Sequence, residues 1–256
     1  YKQWQARGIH IVSANGHSLS SPSTHSITLS PKKTPKQGTL QTTTALGAAR
    51  TFPTTISHLL SDGHEVIELE AVLSGGVTTV LSLMATDGLT FPAALAAAVK
   101  QGHLPADHKA DIDGTTTLRK ITALSDCLGT SLTSRALQIT MPRVPEGGEE
   151  TWFREQVDTA TREGDGAVLR LVASLRVWQA RLSISYVPLP VGHPLAHCPP
   201  GANAIAVTTN LSPLPVVIQV DHNANNHQRK PSTPIHTPHH APTTHTTHTM
   251  RCPLVA

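Results

Sequence analysis

Chemistry in this chain of 256 residues can start from only a few places. One is the block from Pro105 to Lys120, where Asp111 and Asp113 precede Gly114 and Lys120 lies on an amphipathic run beyond it. A lysine ammonium near a carboxylate can protonate or polarise a carbonyl oxygen. Taken alone, however, Asp111 and Asp113 read as helix-start charges, and Lys120 as a solvated lysine on a short helix. Gly75-Gly76 reads as a tight turn. The histidines are the second source: there are 16, and seven lie between His222 and His248. The spacing of His236, His239, His240, His245 and His248 invites a metal. No Cys-x-x-Cys partner accompanies them, so at most weak adventitious zinc or nickel binding, and no functional site, is expected there. Cys127, Cys198 and Cys252 are odd in number and scattered, which offers neither a disulfide framework nor a metal knuckle. His193 and His197 flank a proline and read as polar loop residues. No serine sits in a G-x-S-x-G elbow, so Ser/His/Asp catalysis has no support.

The composition removes whole classes of function. No apolar run approaches the roughly 18 residues of a membrane helix, so no membrane partner is expected. The net charge of +3 is small and dispersed, without the basic clusters and interleaved aromatics of a nucleic-acid binder. Charged residues are 14% and aromatics 3%, low for a globular chain. That average conceals three different regions. Residues 1–37 hold a short β-branched strand and a Ser/Pro/Lys-rich loop from Ser18 to Lys36. Residues 38–220 have the patterning of a folded domain. Residues 221–256 lose nearly all large apolar side chains to Pro, Thr and His, and such a tail is expected to be disordered. The start, Tyr1 to Trp4, has neither the charged nor the apolar segment of a signal peptide and reads as a piece cut from a longer chain.

The middle region must build the scaffold. Gly8 to Asn15 (GIHIVSAN) reads as a buried strand running into a loop. Gly38 to Leu46 is strand-like, and Pro53 to Leu60 is helical, stopped by Asp62-Gly63. Glu65 to Leu73 alternates as a strand with one solvated face. Ser74-Gly75-Gly76 turns into a helix beginning at Val77. Thr90 to Gln101 is the clearest helix, with Thr90 as N-cap and Gly102 as its stop. Leu104 to Asp113 is irregular. Thr115 to Cys127 carries an apolar stripe of Leu118, Ile121, Ala123 and Leu124, and Glu149 to Glu163 is a polar surface helix. Ala167 to Ser174, Val177 to Val187 and Ala204 to Val220 read as strands, the last divided into a hairpin by Ser212-Pro213. This grouping predicts an α+β fold, a mixed sheet with helices packed on one face.

The order of these motifs resembles the catalytic and dimerisation domain of homoserine dehydrogenase. The likeness runs over about residues 1–220, and the colinear series carries it more than any single motif. GIHIVSAN stands where the family ends a strand in PNKK, and Leu46-Gly47-Ala48-Ala49 where it has a VGAG turn. Val72-Leu73-Ser74-Gly75 stands at its SG turn. PADHKADIDG, from Pro105 to Gly114, followed by Leu118-Arg119-Lys120, matches its EPDPRDDL-G-D-ARK block. His193-Pro194-Leu195-Ala196, Gly201-Ala202-Asn203 and Pro213 to Gln219 follow in family order.

The resemblance implies an NAD(P)H-dependent oxidoreductase that interconverts L-aspartate 4-semialdehyde and L-homoserine in threonine and methionine biosynthesis. It implies a homodimer and a small-molecule substrate. It also implies NADP or NAD as cofactor, with a monovalent cation as a further ligand. Lys120 would be the catalytic lysine, moving the proton at the substrate oxygen. Asp111 would contact the substrate's amino end or orient that lysine, and the Gly75 backbone would approach the substrate. Asn15 would lie on the cofactor side, and the backbone of Leu46 and Ala48 at the cation. A cytoplasmic or plastid location would follow.

Three positions depart from the pattern. Gly16 and His17 replace the PNKK lysines, Pro105 replaces the EPDPR carboxylate, and Thr116 replaces the aspartate four residues before the lysine. No G-x-G-x-x-G follows a strand, so most of the nucleotide-binding unit is expected to be missing. The tail begins where the family writes GPGAG, and its change of character suggests a shifted reading frame. Two readings therefore stand side by side: a homoserine dehydrogenase-like oxidoreductase in incomplete form, or an inactive truncated relative that serves only as a structural or dimerisation module.

Overall fold

The structure, a computed structural model, describes residues 2–12, 40–41, 46, 51–128, 138–163 and 166–221. It begins with a short helix, α1 (Lys2–Ala6), and a parallel pair of two-residue strands, β1 (Ile11–Val12) and β2 (Leu40–Gln41). Ile9 is exposed, so the strand predicted from Gly8 is not buried at its start. The expectations for residues 13–39 and for the tail beyond Asp221 lie outside the described residues.

The main body groups its helices and strands: α2 (Thr51–Ser61), β3 (Val66–Val72), α3 (Gly75–Thr86), α4 (Phe91–Lys100), α5 (Lys109–Ile112) and α6 (Thr115–Ser125). A single 3-10 turn, Asp126–Leu128, extends α6. Then come β4 (Gln138–Thr140), α7 (Glu149–Glu163), β5 (Val168–Arg176), β6 (Arg181–Leu189), β7 (Ala202–Thr209) and β8 (Ser212–Asp221). The helix ends have local causes. Thr90 caps α4 by accepting from Ala93 N–H at 3.4 Å, with Pro92 in the first turn. Gly102, at φ 75°, supplies the left-handed turn that stops α4. Glu149 and Glu150 start α7 and Arg162 ends it, complementing its dipole. Glu150 also accepts from Phe91 N–H at 2.5 Å, tying α7 to the start of α4.

One six-stranded sheet orders the body as β4-β6-β5-β3-β7-β8. Its pairs are antiparallel except β4 with β6, which run parallel, so the sheet is mixed. The earliest long strand, β3, occupies the interior between two strands made much later. Alternation gives the sheet two unlike faces. Leu69, Ala71, Leu171, Ala173, Leu175, Leu182, Ile184, Ile205 and Val207 pack into one core with Phe52, Ile56, Val80, Leu81, Ile121, Leu124 and Phe153 from the helices. The opposite face carries Val72, Val172, Ala204 and Ala206 at one end, covered by Leu195, Ala196 and Cys198 of the segment between β6 and β7. Towards the other end it turns polar. Glu68 accepts from Ser174 Oγ at 2.9 Å and from Arg176 Nε at 3.3 Å.

Three expected elements are corrected. Gly75 and Gly76 are not a turn before the helix but its first residues, because the Ser74 hydroxyl already caps α3 by accepting from Val77 N–H. The stretch expected to be irregular contains the short helix α5. The strand expected from Val177 starts at Arg181: Val177 to Ala180 form a tight turn closed by Ala180 N–H to Val177 O at 3.1 Å, with Ala180 at φ 48°. No glycine or proline marks that turn, and Val177-Trp178 mimics strand composition.

Candidate active site

The central strand ends at a point where three elements meet. Beyond β3, the Leu73 carbonyl leaves the ladder and accepts from Lys120 Nζ at 2.7 Å. Ser74 follows as the cap of α3. Lys120 comes from the middle of α6, and the route to it is set by Gly114. That residue has φ 82°, and a Cβ there would press on Ile184 and Pro142 at 3.1 to 3.3 Å. The sharp turn lets α5 run directly into α6, with Asp113 Oδ1 accepting from Thr115 N–H at 2.8 Å. Tyr186 of β6 holds the end of α5 from below, its hydroxyl donating to Ile112 O at 2.8 Å. Asp111 is thereby brought to the same end of the sheet as Lys120.

The electrostatics are those of charges drawn out of water. Lys120 is half-buried, and desolvation lowers its pKa below the ordinary lysine value, partly opposed by attraction to Asp111. Asp111 is raised above the ordinary carboxylate value, chiefly by burial. Lys120 and His108 pull it down, Asp113 pushes it up, and a hydrogen bond with the Ser74 side chain pulls it down. Burial, with the charges of Asp113 and Asp111, pushes the Tyr186 phenol upward, so it remains a donor. Both members of the Lys120–Asp111 pair are shifted towards neutrality, the condition in which a proton passes between them and a ligand most readily.

The turn itself is braced by a second close approach. Gly201 N–H donates to Gly75 O at 3.1 Å, and a Cβ on Gly75 would collide with the Gly201 backbone. Gly75 O accepts also from Thr79 Oγ1 at 2.9 Å. With that hydroxyl proton committed, the 2.9 Å contact between Thr79 Oγ1 and His103 Nδ1 has the imidazole N–H as donor.

Of the residues singled out from sequence, Lys120, Asp111 and Gly75 converge at the end of β3. Leu46 is fully buried in the helix-side core, while Asn15 and Ala48 lie outside the described residues, as does Cys252. Among the described residues no group of three or more His, Cys, Asp or Glu could hold a metal. Cys127 and Cys198 are buried. His193 is a loop residue, as expected, in contact with Glu70 at 3.5 Å. Sequence reasoning missed Tyr186 and Thr117, and gave Ser74 and Asn203 no role beyond their place in the motif series. Thr117 lies one turn before Lys120 on α6, and Asn203 lies between Ala202 and Ala204, which face the other way. The buried Thr117 Oγ1 and Asn203 Oδ1 have no hydrogen-bond partner. The available signal was a lone amide within an otherwise apolar strand (ANAIAV).

The chemistry of the donor set does not extend to a dinucleotide. The sequence has no G-x-G-x-x-G, and of the two strands nearest the start, β1 and β2, two residues each are described. None of the described residues forms the glycine-rich phosphate turn that a dinucleotide needs. No described helix is long and apolar enough to cross a membrane.

The fold and its site define an α+β domain with a half-buried lysine and a carboxylate at the end of its central strand. The family model described as homoserine dehydrogenase matches residues 53–227, and the chain belongs to that family. Similar curated proteins include the Zea mays chloroplastic bifunctional aspartokinase/homoserine dehydrogenase 1, at 26% identity over 82% of this chain and 24% of that protein. The Saccharomyces cerevisiae homoserine dehydrogenase is 23% identical over 86% of this chain and 65% of its own length. The chain thus spans about a quarter of the plant relative and under two thirds of the yeast one. Among solved structures, a Thiobacillus denitrificans homoserine dehydrogenase superposes with TM-score 0.67 at 21% identity, covering 86% of this chain and 49% of that one. A hyperthermophilic archaeal homoserine dehydrogenase in complex with NADPH gives TM-score 0.63 at 20% identity, covering 87% and 61%.

Proposed function

We propose that this chain supplies the substrate half of the NAD(P)H-dependent interconversion of L-aspartate 4-semialdehyde and L-homoserine, in threonine and methionine biosynthesis. The observation that carries the reading is the Lys120 ammonium held at Leu73 O near Asp111. In the reducing direction Lys120 Nζ–H donates to the aldehyde oxygen as that atom gains negative charge. Its lowered pKa makes the ammonium a better acid than a solvated lysine. Leu73 O fixes where the ammonium points. Asp111 orients the lysine or receives the substrate's ammonium, and the Gly75 backbone lies against the substrate. The hydride would come from NADP or NAD held outside the described residues, a cofactor that the name of the archaeal neighbour's complex supports. A monovalent cation near the backbone of Leu46 and Ala48 belongs to the same reading. So does a homodimer, and so does a cytoplasmic location, with a plastid as the alternative that the plant relative's name supports. The domain boundaries belong to this reading too, with the folded catalytic domain at 38–220.

The test is NADPH oxidation by the purified chain with aspartate semialdehyde. Lys120→Ala is expected to reduce turnover by about 10²–10⁴-fold; equal rates in the two proteins would remove the lysine from the mechanism. A second reading is favoured by Pro105 and Thr116, which stand where the family pattern has carboxylates. On that reading the chain is an inactive relative that retains only the dimer-forming sheet. Absence of turnover, together with absence of any saturable change in NADPH fluorescence, would decide for it.

A further inference from the structure

Arg170 is a cation in the wrong place for stability. It sits on β5, nearly fully buried on the face opposite the helices, and none of the ion pairs among the described residues includes it. Its Nε–H has no partner. A methionine or leucine of similar volume would fill the site without a desolvated charge, and such replacements are often neutral or stabilising. What the guanidinium does instead is hold carbonyls. NH1 donates to Leu169 O at 3.0 Å, and NH2 to Ala196 O at 3.1 Å and Cys198 O at 3.4 Å. The last two belong to the segment that crosses the sheet between β6 and β7. Three residues beyond Cys198, that segment reaches Gly201, whose N–H donates to Gly75 O. Two residues before Gly75 stands the carbonyl that holds Lys120.

We infer that Arg170 is a positioning residue: it pins residues 190–201 to the sheet and, through Gly201 and Gly75, fixes the turn whose Leu73 carbonyl aims Lys120. The inference rests on the assignment of Lys120 made above, but its physical content is a chain of contacts that exists with or without turnover. The other fastenings of the segment do not replace the guanidinium. His193 N–H to Pro190 O, Ala196 N–H to His193 O and Cys198 N–H to Leu195 O all close within the segment. The 3.5 Å contact of His193 with Glu70 lies at its near end. Cys198 Sγ to Ala202 O at 3.5 Å and Ala202 N–H to Pro199 O at 3.1 Å reach only the first residue of the strand that the segment itself runs into, so it is Arg170 that ties the far half, next to the glycine pair, across to β5. A fork of donors suits this task because it can serve carbonyls that point in different directions, which a single ammonium does less well.

The experiment uses the whole chain and two readouts: amide hydrogen exchange residue by residue, and the titration of the Lys120 side chain by NMR. In Arg170→Met the amides of Cys198, Gly201 and Val77 are expected to exchange at least about tenfold faster. Those of Leu171 to Leu175 should keep their protection, and Lys120 should titrate closer to an ordinary lysine. Arg170→Lys should fall between the two. Unchanged exchange at Gly201 would overturn the inference, and so would an equal increase across every strand, which is what a merely structural residue gives. Should Arg170→Met fail to fold, Gly75→Ala carries the test from the other end. Its Cβ drives Gly75 and Gly201 apart and leaves Arg170 untouched. Lys120 should then shift while Cys198 keeps its protection; a Lys120 titration identical to that of the native chain would overturn the link. Loss of NADPH oxidation in the native protein would count against the proposed function and leave both readouts intact.

Discussion

The two faces of one sheet are held by different physics, although the same strands make both. The helix-bearing face is a continuous apolar core in which Leu69, Leu175, Ile184 and Val207 meet Phe52, Ile121 and Phe153. The opposite face has a small apolar patch under residues 190–201 and beyond it a polar field of Glu68, Glu70, Ser174 and Arg176. Burial on the first face scales with area and is tolerant of direction. Contacts on the second are few and directional, and several serve to place backbone. One face keeps the domain folded; the other sets where a particular turn lies. The site sits where the two meet, at the end of β3.

Substitutions should separate the faces by size of effect. Phe153→Ala, which removes a fully buried ring stacked 4.4 Å from Phe91, is expected to lower unfolding stability by roughly 3–5 kcal/mol in guanidinium titrations. A loss under about 1 kcal/mol would erase the distinction drawn between the faces. Gly75→Ala forces a side chain into backbone at the junction and should cost about 1–3 kcal/mol by the same measurement. Val217→Ser, on the open face of β8 where the valine is already exposed, should stay within about 0.5 kcal/mol.

Acidity supplies a finer test. Lys120 binds its proton less tightly in the folded protein than in the unfolded chain. The resulting deficit is complete below its folded pKa and disappears as pH rises from there through 10.5. Stability should therefore gain from this group on the alkaline side, and Lys120→Met should flatten that gain when denaturation midpoints are compared at two alkaline pH values. Asp111 works in the opposite sense: its raised pKa makes the folded state lose stability as pH climbs from 3.8 through the raised value. Lys109→Ala should do least of all, under about 0.5 kcal/mol, because both partners of its 3.4 Å pair with Glu146 are solvated.

Periodic and capped elements were legible in the sequence. Glu149 to Glu163, read as a polar surface helix, was bounded correctly, and α4 was bounded by Thr90 and Gly102, since these signals are local. The fold class, an α+β sheet with helices on one face, followed from the grouping of strands and helices. The turn at Val177 to Ala180 was not legible, because its conformation is imposed by the pairing of β5 with β6 rather than by a glycine. Lys120 and Asp111 could be named from family resemblance. That the Leu73 carbonyl holds the lysine could not, as 47 residues separate them. Arg170 gave no signal at all: an arginine at alternate spacing in VLRLVASLR reads as a solvated position, and only the covering segment makes it buried.

The place of β3 in the sheet also sets a constraint on how the chain can be made. Its two partners pair with it from β5 and β7, roughly a hundred residues or more further along, so both of its edges stay unmatched until that much more chain has been made. Until those strands arrive, β3 presents open ladders that invite another chain. Only its helix-side residues can be sheltered early, by α3 and α4, which follow immediately. Assembly must then wait on distant contacts, placing this domain among slow folders for its helix content. Crowded synthesis at high temperature should expose that weakness as aggregation before any loss of the finished protein's stability becomes visible.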